Sequence, residues 1–178
     1  GGVPSDKVIK LNANENPYGP SSRVQDALGR YQGYHIYPDA RQRSLRKALE
    51  GYIGISADHI LAGAGADEII DLVLRATLEP GDEVVNCPPT FGMYAFSTQV
   101  NGGKLVSVPR DDQFRVDLPA VKKALGHKTK AIFLTSPNNP TGNLTPDDVV
   151  LSLLEEDIFV VVDEAYFEFS GHTVATLV

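Results

Sequence analysis

An α/β fold built on a mostly parallel sheet is what the sequence predicts, and three observations carry that reading. Short β-rich runs alternate with segments of helical periodicity along most of the 178 residues. The β-rich runs are near-continuous in apolar residues, as strands covered on both faces are. Loop-forming chemistry separates the two kinds of segment, at Glu79-Pro80-Gly81-Asp82, Asn101-Gly102-Gly103 and the stretch 137–142. Strand, helix, strand, helix in this order is the pattern of a parallel sheet with helical crossovers.

In chain order, the first 20 residues follow neither period. Leu11-Asn12-Ala13-Asn14-Glu15-Asn16-Pro17-Tyr18-Gly19-Pro20 packs polar residues with two prolines. It reads as an extended arm, either a plain surface loop or a segment lying on a partner subunit or an active site. Helical periodicity then covers 23–31 and 42–52, and a strand is expected over 59–62. Helix 67–78, strand 83–87, helix 92–100, strand 104–108, helix 118–125, strand 130–135, helix 146–155 and strand 158–162 follow. Helix 146–155 has the clearest start. Thr145 can cap it, Pro146 suits its first position, and Asp147 and Asp148 sit favourably against the helix dipole. No internal repeat, low-complexity tract or linker interrupts the pattern.

Composition narrows the function classes. With 42% apolar residues the chain can bury the core of one ordinary domain. Sixteen basic and 23 acidic residues give a net charge of -7, with no basic stripe, which argues against nucleic acid and anionic membrane surfaces as partners. Cys87 is the single cysteine and reads as a small buried residue. His35, His59, His127 and His172 lack metal-ligand spacing, so no metal is expected. No apolar run approaches the roughly 20 residues of a membrane span. The expected compartment is the cytoplasm, or the plastid stroma if a transit peptide once preceded Gly1-Gly2.

Ligands of open parallel sheets bind beyond the carboxyl ends of the strands, and four unusual stretches fall there. Gly63-Ala64-Gly65-Ala66-Asp67-Glu68 turns from strand to helix, and the free N–H groups at a helix start suit an anion, most naturally a phosphate. A plain turn is the bland alternative. Cys87-Pro88-Pro89-Thr90-Phe91-Gly92-Met93-Tyr94 presents an aromatic ring from a stiff loop. Phe91 is either core or a ring stacked on a flat ligand. Thr135-Ser136-Pro137-Asn138-Asn139-Pro140-Thr141-Gly142 holds two amides between prolines. Phe159-Val160-Val161-Val162-Asp163-Glu164-Ala165-Tyr166 ends a buried strand in an acid pair. A buried carboxylate is costly without a cation, no Lys or Arg follows Asp163, and a cationic ligand is a reasonable partner.

Rival readings fail on the same residues. The Asp-Glu strand end resembles that of P-loop ATPases, but Gly-x-x-x-x-Gly-Lys-Ser/Thr is absent. Gly63-Ala64-Gly65 resembles a dinucleotide fingerprint, but Glu68 stands at the third glycine and the next strand ends without an acid. Ser44-Leu45-Arg46-Lys47 matches the Ser-x-x-Lys of β-lactamases without any companion motif.

Taken together, Asn12-Ala13-Asn14-Glu15-Asn16-Pro17-Tyr18-Gly19-Pro20, Tyr37-Pro38-Asp39, Gly65-Ala66-Asp67-Glu68, Pro89-Thr90-Phe91-Gly92-Met93-Tyr94, Asn138-Asn139-Pro140-Thr141-Gly142 and Val162-Asp163-Glu164-Ala165-Tyr166 resemble the histidinol-phosphate aminotransferase family, within the fold-type-I aminotransferases. The resemblance implies a three-layer α/β/α large domain over 37–178, preceded by an arm and first helix over 1–36. It also implies a four-strand parallel block from which the strand near Ile60 is detached. It implies pyridoxal 5'-phosphate as cofactor, with the N–H groups of Ala66 and Asp67 on the phosphate and Phe91 stacked on the ring. Asn139 and Tyr166 would meet the phenolic oxygen and Asp163 the ring nitrogen, with Asp163 and Tyr166 the catalytic pair and Glu164 structural. Tyr37 would reach the neighbouring subunit's phosphate site and Tyr18 its substrate pocket, in a homodimer. The implied reaction is amino transfer between L-histidinol phosphate and 2-oxoglutarate in histidine biosynthesis. An aromatic amino acid aminotransferase and a non-catalytic cofactor-site fragment are the alternatives. The family's Schiff-base lysine follows a serine well past Asp163. None of the eight lysines here lies in such a pair, so a polypeptide of these residues alone is expected to be inactive.

Overall fold

The computed structural model describes residues 8–177, so Gly1, Gly2 and Lys7 lie outside the described residues. The chain forms two compact units, Gly1–Ala40 and Arg41–Val178. In the first, residues 8–20 form neither helix nor strand, and helix α1 (Ser22–Arg30) follows, its start capped by the Ser21 hydroxyl accepting from Arg23 N–H. No residue of α1 is buried.

The second unit carries α2 (Arg43–Ile53), α3 (Ala66–Thr77), β1 (Glu83–Asn86), α4 (Met93–Val100), β2 (Lys104–Ser107), α5 (Leu118–Ala124), β3 (Thr129–Thr135), α6 (Asp147–Leu154), β4 (Phe159–Asp163) and the single-turn α7 (Phe167–Ser170). The four strands form one sheet in the order β2-β1-β3-β4, every neighbouring pair parallel. Successive residues of a strand face opposite ways, and both faces are covered. Val85, Ile132 and Leu134 pack with Val121 of α5 and Val150 and Leu153 of α6. Val84, Ala131 and Phe133 pack with Ile70 and Leu74 of α3 and Tyr94 of α4. That is the expected three-layer α/β/α arrangement.

Full coverage holds only for the central strands. β2 and β4 are edges, and each is exposed at its first residue and otherwise at best half-buried, apart from an exposed Ser107 closing β2. Their apolar sequences do not distinguish an edge from a centre, because that depends on which strand lies alongside.

Two local expectations are corrected. Residues 60–62 form no strand. A 3-10 turn over Ala57–His59 leads into extended backbone at Ile60, and at Ala62 the Gln42 side chain takes the two backbone hydrogen bonds that a neighbouring strand could take. Its amide donates to Ala62 C=O at 2.7 Å and accepts from Ala62 N–H at 3.1 Å. Thr145 does not cap α6. It is buried, its N–H donates to the Ser136 hydroxyl and its own hydroxyl reaches Thr135 C=O at 3.4 Å, while Pro146 stands at the cap position. The hydroxyl serves the end of β3 because the loop brings it there. Asp147 and Asp148 occupy the first turn as expected. Among the described residues no helix is long and apolar enough to cross a membrane.

Candidate active site

A cleft opens at the carboxyl end of the sheet, lined by Ala66, Phe91, Thr135, Asn139, Asp163, Ala165 and Tyr166. These residues come from the start of α3, the loop after β1, the end of β3 and its following loop, and the end of β4. Parallel pairing aligns these ends, Thr135 opposite Asp163 on β3 and β4.

Each wall has a local cause. The turn into α3 needs its glycines. Gly65 sits at φ 90°, a region that L side chains rarely enter, and a Cβ on Gly63 would stand 2.8 Å from both Glu68 Oε2 and Ile69 Cδ1. Among the described residues no side chain caps α3, which leaves the N–H groups of Ala66 and Asp67 in its first turn without a side-chain acceptor at the cap. Phe91 is half-buried and meets Tyr94 edge-on, centroids 5.6 Å apart at 80°. Tyr166 lies against Phe169, centroids 6.4 Å apart. Asn139 is half-buried on the proline-framed loop.

Asp163 is the half-buried last residue of β4. Its Oδ1 accepts from Ala165 N–H at 3.0 Å and its Oδ2 from the Tyr94 hydroxyl at 2.6 Å. A carboxylate has about four acceptor positions, and these two bonds leave room for a ligand donor. The positive partner that the sequence asks for is not among the described side chains, where Asp163 forms no ion pair.

Behind the carboxylate runs a polar chain that the residue-by-residue reading missed. Tyr94 OH lies 2.8 Å from Thr135 Oγ1, which lies 3.0 Å from Thr90 Oγ1. Thr90 donates to Asn138 Oδ1 at 3.0 Å, and Arg110 Nη2 donates to the same oxygen at 3.1 Å. Tyr94, Thr135, Asn138 and Arg110 are all buried. Arg110 is further held by Cys87 C=O and Phe114 C=O. Burial, reinforced by the Asp163 charge, pushes the Tyr94 phenol well above its ordinary range, so it remains a donor. Burial likewise raises the Cys87 thiol to about 11, which makes it inert. The sequence signal for Thr90, Tyr94, Thr135 and Asn138 was their place in two unusual stretches, not their mutual contact. Arg110 had none.

Of the other predicted residues, Asp67 is exposed on the first turn of α3, and Tyr18 and Tyr37 belong to the amino-terminal unit with side chains 93% and 98% exposed. Glu164 accepts from the Thr173 hydroxyl and from Val174 N–H, a bracing role. Among the described residues no group of three or more His, Cys, Asp or Glu could hold a metal ion.

The family model described as aminotransferase class I and II matches residues 6–177. A histidinol-phosphate aminotransferase of Dehalococcoides mccartyi is 46% identical over 172 residues, covering 97% of this chain and 48% of the relative. The chloroplastic histidinol-phosphate aminotransferase of Nicotiana tabacum is 50% identical, covering 96% and 41%. The crystal structure of histidinol-phosphate aminotransferase from Sinorhizobium meliloti in complex with pyridoxal-5'-phosphate is similar with a TM-score of 0.80 at 31% identity, over 88% of this chain and 44% of that one. An aspartate aminotransferase from Thermotoga maritima gives 0.78 at 28%, over 88% and 46%. The chain spans about half the length of the curated relatives it matches.

Proposed function

The chain belongs to the class I and II aminotransferases, and on that premise we propose that the protein at its full natural length transfers an amino group between L-histidinol phosphate and 2-oxoglutarate, with pyridoxal 5'-phosphate as cofactor. One observation carries this: a single cleft collects an uncapped helix start with a flat ring, an amide, a phenol and a carboxylate from the ends of neighbouring strands and the loops after them. That donor set fits the cofactor group by group. The N–H groups of Ala66 and Asp67 would hold its phosphate, supported by the helix dipole. Phe91 would lie on the face of its ring. Asn139 and Tyr166 would donate to its phenolic oxygen, and Asp163 would hold a proton on its ring nitrogen. When bound, the cofactor supplies an electron sink for the carbanion formed at the substrate's α-carbon.

The test has two parts. Absorbance titration of the full-length protein with pyridoxal phosphate should show saturable binding, and no spectral change would sink the reading. The specificity constant kcat/KM for L-histidinol phosphate should exceed that for aromatic amino acids by roughly tenfold to a hundredfold, the worth of a charge-assisted contact or two to the substrate phosphate. Equal constants, or preference for the aromatic donor, would reassign the substrate.

The same protein is proposed to work as a homodimer. The support is the near-complete exposure of Tyr18 and Tyr37, each in a stretch that carries the family resemblance. Tyr37 would touch the neighbouring site's phosphate and Tyr18 would wall its substrate pocket, so a two-fold interface uses each twice. Sedimentation equilibrium should give a dimer. A fully active monomer would remove both tyrosines from these roles.

A further inference from the structure

The polar chain behind Asp163 carries the inference, and its proton count shows why. Asn138 has a determined orientation: its Nδ2 donates to Pro89 C=O and to Thr141 Oγ1, and its Oδ1 accepts from Arg110. Oδ1 is therefore an acceptor for Thr90, whose one hydroxyl proton is committed to it. At the other end Tyr94 commits its proton to the Asp163 carboxylate. Only the Thr135 proton is free to choose, between Thr90 and Tyr94. Three hydroxyl protons thus serve four contacts, and the Tyr94 proton has no competing use. When Thr135 donates to Tyr94, the two bonds Thr135 to Tyr94 and Tyr94 to Asp163 run in one direction and strengthen each other.

The seat of Tyr94 is rigid. The ring is fully buried, stacked on Phe133 with centroids 4.7 Å apart and planes 14° apart, and met edge-on by Phe91. Its hydroxyl has one place to be, and Asp163 Oδ2 is 2.6 Å from it. With Oδ1 held by Ala165 N–H, both oxygens of the carboxylate are located by the protein before any ligand arrives.

We infer that Tyr94 is a positioning residue for Asp163: its hydroxyl, which donates to Oδ2 and accepts from Thr135, fixes the carboxylate so that it discriminates a protonated ring nitrogen from an isosteric C–H. The inference rests on the cofactor reading above. Without the hydroxyl, Oδ2 loses its donor, and the carboxylate turns about its side-chain torsions to find another. The aim at the ring position is lost, while the phosphate site at α3 is untouched.

The experiment measures binding rather than turnover. Apparent dissociation constants are determined, for the full-length protein, for pyridoxal phosphate and for its analogue in which the ring nitrogen is a C–H group. Wild type should prefer pyridoxal phosphate by about tenfold or more, since a hydrogen bond involving charged groups is worth that much. Tyr94→Phe, which keeps both ring contacts, should cut the preference about tenfold and leave the analogue's affinity within about twofold. Thr135→Val should cut it about threefold and Thr135→Ser should leave it intact, and this pair decides the matter if Tyr94→Phe does not fold. An unchanged preference in Tyr94→Phe, or an equal loss of affinity for both ligands, would overturn the inference while sparing the cofactor reading. A wild type that binds neither ligand would overturn both.

Discussion

Asp163→Asn in the full-length protein is expected to lower the rate of the amino-donor half-reaction by about 10²–10³-fold, the loss seen when a preorganised charge-stabilising group is removed from an active site. Cofactor retention should change by less than about tenfold, because on the proposed reading the N–H groups at the start of α3 would supply a separate anchor. The substitution is nearly isosteric, so the end of β4 should keep its place. The Ser136 N–H bond to the residue's carbonyl does not depend on the side chain. What changes is charge. An amide cannot hold a proton on a ring nitrogen as a carboxylate does. Its NH2 group, where it faces Tyr94 OH, also replaces an acceptor by a donor. Stopped-flow single-turnover rates and the rate of cofactor loss on dialysis give the two numbers. Half-reaction rates within about twofold of wild type would take Asp163 out of the chemistry.

Phe133→Ala should destabilise the fold by about 3–5 kcal/mol, the usual cost of emptying a buried aromatic site. Phe133 is 1% exposed on β3, which is hydrogen-bonded to β1 on one side and β4 on the other. Its ring fills the layer between the sheet and the α3 and α4 helices, against Ile70, Leu74, Val84 and Tyr94. None of these can move into the gap without breaking its own packing, so the cavity stays open. Urea unfolding should show a lower midpoint with an unchanged slope. Phe133→Leu, which keeps most of the volume, should cost less than half as much. A loss under about 1.5 kcal/mol in the alanine variant would mean that the site collapses and that the layer is softer than described. Because Phe133 also seats Tyr94, the alanine variant should weaken the carboxylate's support as well as the fold.

Sequence alone determined the features whose causes are local. The helices α1 to α6 and the four strands were legible because apolar periodicity reports one face or two, within a residue or two at the ends. Ala66, Phe91, Asn139 and Asp163, which line one cleft, were legible as candidates because each stands at a helix start or in an unusual stretch at or after a strand end. Such ends are where an open sheet binds ligands.

Tertiary structure decided the rest. The stretch 60–62 has the composition of a strand, but backbone becomes strand only beside another strand, and here the Gln42 amide meets it at Ala62 alone. Thr145 sits where a cap belongs, yet its hydroxyl serves the end of β3. The chain from Arg110 to Asp163 joins residues 28, 48, 45, 41 and 69 positions apart. No local pattern marks those contacts, because they exist only once the order β2-β1-β3-β4 sets β1, β3 and β4 side by side and brings their carboxyl ends together. A hydroxyl's role depends on what lies within 3 Å of it, and for Tyr94, Thr90 and Thr135 that is settled by strand order, which the intervening sequence does not encode at any single position.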